Sequence, residues 1–324
     1  MKALRIHGGR IDLAATHYPR APQPWLDLST GINPCAWQAE PFPPLDLHRL
    51  PSPTAIGDLE AAAATMFGTS ADRVVALPGS ELGLRSLDVL GLPSPVRFVT
   101  PSYGTHAEAI TRATPIARDA IDAISEGTLL LANPNNPDGD IDSPDRLLRI
   151  VRRGVWLVVD EAFADAVPAR NLIPCLASED PAIVFRSFGK FFGLAGVRLG
   201  FMIAPATQAA AMRRRLGSWP ISALAVAYGT AAYRDVAWIA KARRSIVERA
   251  DRLDMLLARH GLRGSGACPL FRLVQCDDAA AVFERLAQSG ILTRPFDTAP
   301  RWLRFGVPGD DAAFERLDRA LSRG

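Results

Sequence analysis

Residues 155–190 decide the fold. They open with Val155-Trp156-Leu157-Val158-Val159-Asp160-Glu161-Ala162-Phe163 and close with Ile183-Val184-Phe185-Arg186-Ser187-Phe188-Gly189-Lys190. Each is a short, uninterrupted apolar run that stops at a polar group. Val155–Val159 and Ile183–Phe185 are too short for helices and too apolar for half-exposed strands, so they read as strands buried on both faces. The same unit recurs upstream. Ile56, Leu59, Ala63, Met66 and Phe67 form a helical stripe, and Val74–Leu77 is a strand ended by Pro78-Gly79. Ser80 opens a helix carrying Leu84, Leu87 and Leu90. Val96–Thr100 is a strand, followed by Pro101 and a helix through Ala113. Thr128–Ala132 is a strand, and Ser143-Pro144 is an N-cap and N1 pair for a helix over 144–153. Downstream, Phe201–Ala204 is a further apolar segment. The alternation predicts an α/β fold with a mostly parallel sheet between helices.

From about residue 207 the pattern changes. A long helical region reaches Arg259. Short strands (Leu270–Val274, Trp302–Val307) then alternate with helices (Ala279–Ser289, Asp311–Leu321), which predicts a smaller α+β C-terminal domain. Residues 1–45 are proline-rich and without period and read as an N-terminal arm. The expected division is thus 1–45, 46–206 and 207–324.

Composition narrows the function. With 48% hydrophobic and 22% charged residues the chain is globular, and a net charge of +3 is too small for a nucleic-acid binder. Arg213-Arg214-Arg215 and Arg243-Arg244 read as solvated helix faces. Cys35, Cys175, Cys268 and Cys276 show no C-x-x-C spacing and no histidine cluster, so no metal site is expected. Without an apolar leader or a long apolar run, the expectation is a cytoplasmic protein with no membrane contact. Lysine is scarce: Lys2, Lys190 and Lys241 stand against a large excess of arginine. Lys190, in an apolar, Gly-rich stretch, is therefore singled out.

In a parallel sheet, ligands bind beyond the carboxyl ends of the strands. Those positions hold Gly79-Ser80-Glu81, Tyr103, Asn135-Asn136, Asp160, and Ser187 with Lys190. A helix start and hydroxyls suit a phosphate, an aspartate suits a protonated ring nitrogen, a tyrosine can stack, and a lysine can bond covalently to a carbonyl. Pyridoxal phosphate needs all of these. No G-x-G-x-x-G and no P-loop is present, which argues against a nicotinamide or nucleotide enzyme.

These segments resemble the motifs of fold-type I pyridoxal-phosphate enzymes. Ser187-Phe188-Gly189-Lys190 with Gly193, Gly196 and Arg198 is similar to the lysine motif, and Asn133 to Gly139 to the N-P-x-N-P-x-G loop. Asp160-Glu161-Ala162-Phe163 is similar to D-E-A-Y, and Pro101-Ser102-Tyr103-Gly104 to the ring-stacking segment. The resemblance implies an aminotransferase-like fold and a homodimer, with the arm packed on the small domain and the active site. It implies that Lys190 holds the cofactor covalently. Asp160 would pair with the ring nitrogen, Asn136 with the ring oxygen and Tyr103 with the ring face. Gly79, Ser80 and Glu81, through main-chain N–H groups, would hold the cofactor phosphate together with Ser187 and Arg198. Within the superfamily, His7-Gly8-Gly9, Asp27 to Pro34 and Trp219 to Ala225 are similar to segments of the threonine-phosphate decarboxylases; the histidinol-phosphate aminotransferases are the alternative. The first resemblance implies a small phosphorylated amino acid as partner. Arg304 would grip its α-carboxylate with help from Asn33, and Arg294, His7 and Gly8 would lie at its phosphate. Two positions depart from the pattern: Phe163 replaces the D-E-A-Y tyrosine, and Leu50 replaces a tyrosine that reaches the neighbouring subunit. A pyridoxal-phosphate-binding regulator is a third class, but the arm is too short for a DNA-binding domain.

Overall fold

A computed structural model of the chain describes residues 8–39 and 42–322, so His7 lies outside the described residues. The chain divides into two compact units. One comprises residues 36–136 and 140–240; the other comprises the described parts of 1–35 and 241–324 together with 137–139.

The first unit is built on a seven-stranded sheet. Its order across the sheet is Val74–Leu77, Gly200–Ile203, Ala182–Ser187, Trp156–Asp160, Thr128–Ala132, Val96–Val99, Thr114–Ile116. Among its described strands only Gly200–Ile203 runs against the rest; the remaining neighbours pair in parallel. The central strands are apolar on both faces because both faces are covered: Leu130, Val158, Ile183 and Phe185 are fully buried in one cluster with Leu77, Leu84 and Met212. Burying each such side chain is worth about 1.5–3 kcal/mol. Helix Pro53–Phe67 starts where Ser52 accepts the Ala55 N–H (3.1 Å) and stops at Gly68, left-handed at φ 72°. Helix Pro144–Val151 starts as its Ser-Pro pair predicts, with Ser143 Oγ accepting the Arg146 N–H at 3.2 Å.

Three elements differ from the sequence expectation. The helix expected after Pro101 is only a short 3₁₀ turn, Gly104–Ala107, because Thr105 and His106 are spent on hydrogen bonds across the fold instead of forming a face. The helix opened by Ser80 ends at Leu84 and resumes as a 3₁₀ turn, Leu87–Leu90. Gly83 sits in it because a Cβ there would lie 2.5 Å from the Phe185 ring. Strand Thr114–Ile116 has no apolar run to betray it; it is an edge strand, where Pro115 costs no ladder bond.

The second unit pairs a four-stranded antiparallel sheet with helices Ala279–Gln288 and Asp311–Leu321. Asp278 and Asp310 cap these helices through the Ala281 and Ala313 N–H groups (2.9 and 2.8 Å). The N-terminal segment is more regular than its composition suggests. Ile11–His17 is helical, too short to display a period, and Leu26–Asp27 pairs in parallel with Ile291–Leu292. Ala14, Tyr18, Trp25 and Leu28 enter the same core as Leu257, Phe283, Phe305 and Phe314. No helix among the described residues is long and apolar enough to cross a membrane.

Candidate active site

Because six strands of the first unit run in one direction, their carboxyl ends share an edge, and the antiparallel Gly200–Ile203 begins there. That edge carries all nine residues expected to meet the cofactor. Asp160 ends its strand almost buried, at 6% exposure. Its Oδ1 accepts the Ala162 N–H (3.0 Å), and its Oδ2 lies 3.3 Å from Nε2 of His106, which has no exposure at all. Ser102 Oγ is 2.9 Å from the other ring nitrogen of His106. Sequence reasoning missed His106. The available signal was a lone histidine three residues past Tyr103, and nothing local marks it as Asp160's partner.

Tyr103 meets the His106 ring edge-on, with centroids 6.0 Å apart and planes at 87°. Its hydroxyl donates to Glu81 Oε2 at 2.8 Å. Burial and the adjacent Glu81 carboxylate push the phenol up to about 12, so it is a neutral donor. The Glu81 side chain also accepts from Thr105 Oγ1 (2.8 Å) and Arg85 Nε (2.7 Å). Burial alone would raise this carboxyl, but the hydrogen bonds from Thr105, Tyr103 and Arg85 outweigh it and hold it below the usual range.

Helix Ser80–Leu84 begins at Gly79, whose φ is +91°. A Cβ there would lie 2.6 Å from Nη2 of Arg198, so only glycine lets this guanidinium lie across the helix start. Arg198 is itself left-handed, at φ 56°, a conformation that arginine seldom adopts. A Cβ on Gly200 would lie 2.4 Å from the Ser80 nitrogen, so this glycine brings strand and helix starts together. A guanidinium over outward main-chain N–H groups is a cradle for a dianion. Lys190 stands on the short helix Phe188–Phe191, half-buried, with Nζ 5.8 Å from the centre of the buried Phe163 ring. Ser187 precedes that helix, and Asn136 follows the Thr128–Ala132 strand in a loop tied down by Asn133, whose side chain clasps the Asp142 main chain (2.8 and 3.2 Å). The donors fit pyridoxal phosphate: a phosphate cradle, an aromatic face, a buried carboxylate and an amine at one sheet edge.

Behind the edge, Arg186 has no exposure and bridges Glu161 (2.9 Å) and Asp165 (2.6 Å). Glu161 also accepts the Leu172 N–H at 2.8 Å. Burial pushes its carboxyl up, and Arg186 pulls it back only in part. This network ties the Asp160–Ala166 turn to the neighbouring strand.

The residues expected to meet substrate, His7 apart, all lie in the second unit. Strand Arg294–Pro295 pairs with Trp302–Gly306 so that Arg294 and Arg304 are direct partners. Partners in a ladder point to the same face, and like charges there repel. Arg304 is buried, donates Nη2 to the Ser29 carbonyl at 2.9 Å, and lies 4.8 Å from the Phe271 ring centre. Burial, and then Arg294, lower it to about 10. Gly8 packs against Ser29, where a Cβ would lie 2.4 Å from the carbonyl, and the Gly9 N–H donates to Ser29 Oγ (2.7 Å). Asn33 is buried, and its oxygen accepts the Cys35 N–H at 3.0 Å, the use of a turn former.

The model of the aminotransferase class I and II family matches residues 27–321. The chain belongs to this family. Two curated members resemble it along their whole length. A threonine-phosphate decarboxylase of Sinorhizobium is 40% identical, covering 100% of this chain and 99% of its own. One of Pseudomonas aeruginosa is 39% identical, covering 97% and 96%. In three dimensions the chain resembles the histidinol-phosphate aminotransferase of Sinorhizobium meliloti, solved in complex with pyridoxal-5'-phosphate. The TM-score is 0.81 at 22% identity, over 96% of this chain and 92% of that one, which establishes the aminotransferase fold.

Proposed function

We propose that this chain is a pyridoxal-phosphate-dependent decarboxylase of L-threonine O-3-phosphate, yielding 1-amino-2-propanol phosphate for the linker of the cobalamin nucleotide loop. The observation that carries this reading is the 40% identity, over essentially the full length of both chains, to a threonine-phosphate decarboxylase. The aminotransferase reading has the fold in its favour, and a fold alone does not choose a reaction.

Pyridoxal phosphate, when bound, supplies an electron sink for the pair left on Cα as a bond to it breaks. The residues of this chain do the rest. Lys190 holds the cofactor at rest and later carries the proton that Cα receives. Asp160, kept in place by His106, holds a proton at the ring nitrogen. With Phe163 in place of the family's tyrosine, Asn136 is the main donor to the ring oxygen. Tyr103 covers the ring face, and Gly79, Ser80, Glu81, Ser187 and Arg198 take the phosphate. Arg304 takes the substrate α-carboxylate, assisted by Asn33. Arg294, with His7 and Gly8, takes the side-chain phosphate. That grip would turn the substrate about Cα so that its carboxylate, and not its hydrogen, is the group presented for cleavage. The Cα–carboxylate bond breaks, carbon dioxide leaves, and one proton is added at Cα. The enzyme acts as a cytoplasmic homodimer, with no nucleic acid or membrane as partner.

The test is incubation of the cofactor-loaded protein with L-threonine O-3-phosphate and no keto acid. Release of carbon dioxide is expected. No release, with amino transfer only when 2-oxoglutarate is added, would replace the decarboxylase by an aminotransferase.

A further inference from the structure

An acidic side chain in the first turn beneath a phosphate cradle is a liability, because two anions close together repel. Glu81 stands there. Its charge is distributed over three donors: Thr105 Oγ1 (2.8 Å), Arg85 Nε (2.7 Å) and the Tyr103 hydroxyl (2.8 Å). Arg85 supplies the compensating cation and also reaches Glu108 at 3.1 Å. Tyr103 is thereby held at both ends of its ring: His106 meets one side edge-on, and Glu81 holds the hydroxyl. A tyrosine side chain otherwise samples several χ1 wells, and selecting one costs entropy at the moment of binding.

We propose that Glu81 is a positioning residue: its carboxylate anchors the Tyr103 hydroxyl, fixes where that end of the ring lies before the cofactor arrives, and has its own charge offset by Arg85. This role is distinct from the main-chain contact expected of Glu81, and it rests on the site reading above.

A double-mutant cycle on cofactor affinity tests it, with binding of pyridoxal phosphate to the apo-protein followed by absorbance. A hydrogen bond to a charged group is worth roughly tenfold in an equilibrium constant. Glu81→Ala and Tyr103→Phe should each weaken binding about tenfold, and the double variant should lose no more than the weaker single. Both singles should shift the visible band of the bound cofactor in the same direction, which a merely structural glutamate would not do. Additive losses, about a hundredfold in the double variant, overturn the proposal. If Glu81→Ala does not fold, Glu81→Met runs the same cycle with size and helix preserved. Wild-type apo-protein that takes up no cofactor, or takes it up identically in Lys190→Ala, overturns the site reading itself; a normal wild type with an additive cycle overturns the Glu81 role alone.

Discussion

The sheet edge of the first unit and the paired strands of the second hold charge by different means. At and behind the edge the carboxylates are held by side chains: Asp160 by His106, Glu81 by Tyr103, Thr105 and Arg85, Glu161 and Asp165 by Arg186. On the strands the charges are two directly opposed arginines, and Arg304 is steadied by a main-chain carbonyl and a ring face. A carboxylate with several donors is a fixed charge and suits a resident group. Two guanidiniums on one face repel each other, and an anion between them gains from both, which suits a ligand that comes and goes.

The largest expected effect lies on the first side. Lys190→Ala should lower carbon dioxide release by at least ~10³-fold and abolish covalent attachment of the cofactor, read by mass spectrometry after borohydride reduction. Retained attachment would break the assignment. On the second side, Arg304→Ala should cost about 10²- to 10³-fold in kcat/KM, and Arg304→Lys should recover only part, because an ammonium lacks the two-pronged fork. Arg294→Ala should cost about tenfold, mainly in KM for the phosphorylated substrate. Equal losses at the two arginines would mean that they do not divide the substrate's anions between them.

Stability separates the regions next. Arg186→Met strands two buried carboxylates and should cost about 3–5 kcal/mol, a fall in Tm of about 10 °C by calorimetry. A smaller loss is expected from Arg294→Ala, which relieves the repulsion with Arg304. The smallest effect is a pH dependence with a sign. Glu81 is lowered from 4.5 in the fold, so its contribution is complete above pH 4.5 and is lost as pH falls through the lower folded value. Glu161 is raised from 4.5, so the fold holds a proton that the unfolded chain releases, and stability declines as pH rises from 4.5 through the raised value. Urea unfolding of Glu81→Gln and Glu161→Gln across the acid range should remove slopes of opposite sign.

Much of the first unit could be read locally. Strand–helix alternation depends on residues a few positions apart, and in a parallel sheet the carboxyl ends gather on one edge whatever the strand order. Residues just past each strand, Gly79, Tyr103, Asn136, Asp160 and Lys190, could therefore be grouped without a structure. The helix expected over 101–113 failed for the converse reason: Thr105 and His106 serve distant carboxylates, and no periodicity reports that.

Sequence by itself determined the parallel α/β sheet, the edge where chemistry gathers and the residue types that suit pyridoxal phosphate, because short-range pattern and strand direction suffice for these. Tertiary structure alone decided that His106 backs Asp160, that Glu81 holds Tyr103, that Arg186 joins Glu161 to Asp165, and that Arg294 faces Arg304. Those pairings depend on strand register and on turns packed from distant parts of the chain, and side-chain hydrogen bonds of that kind leave no period in the sequence.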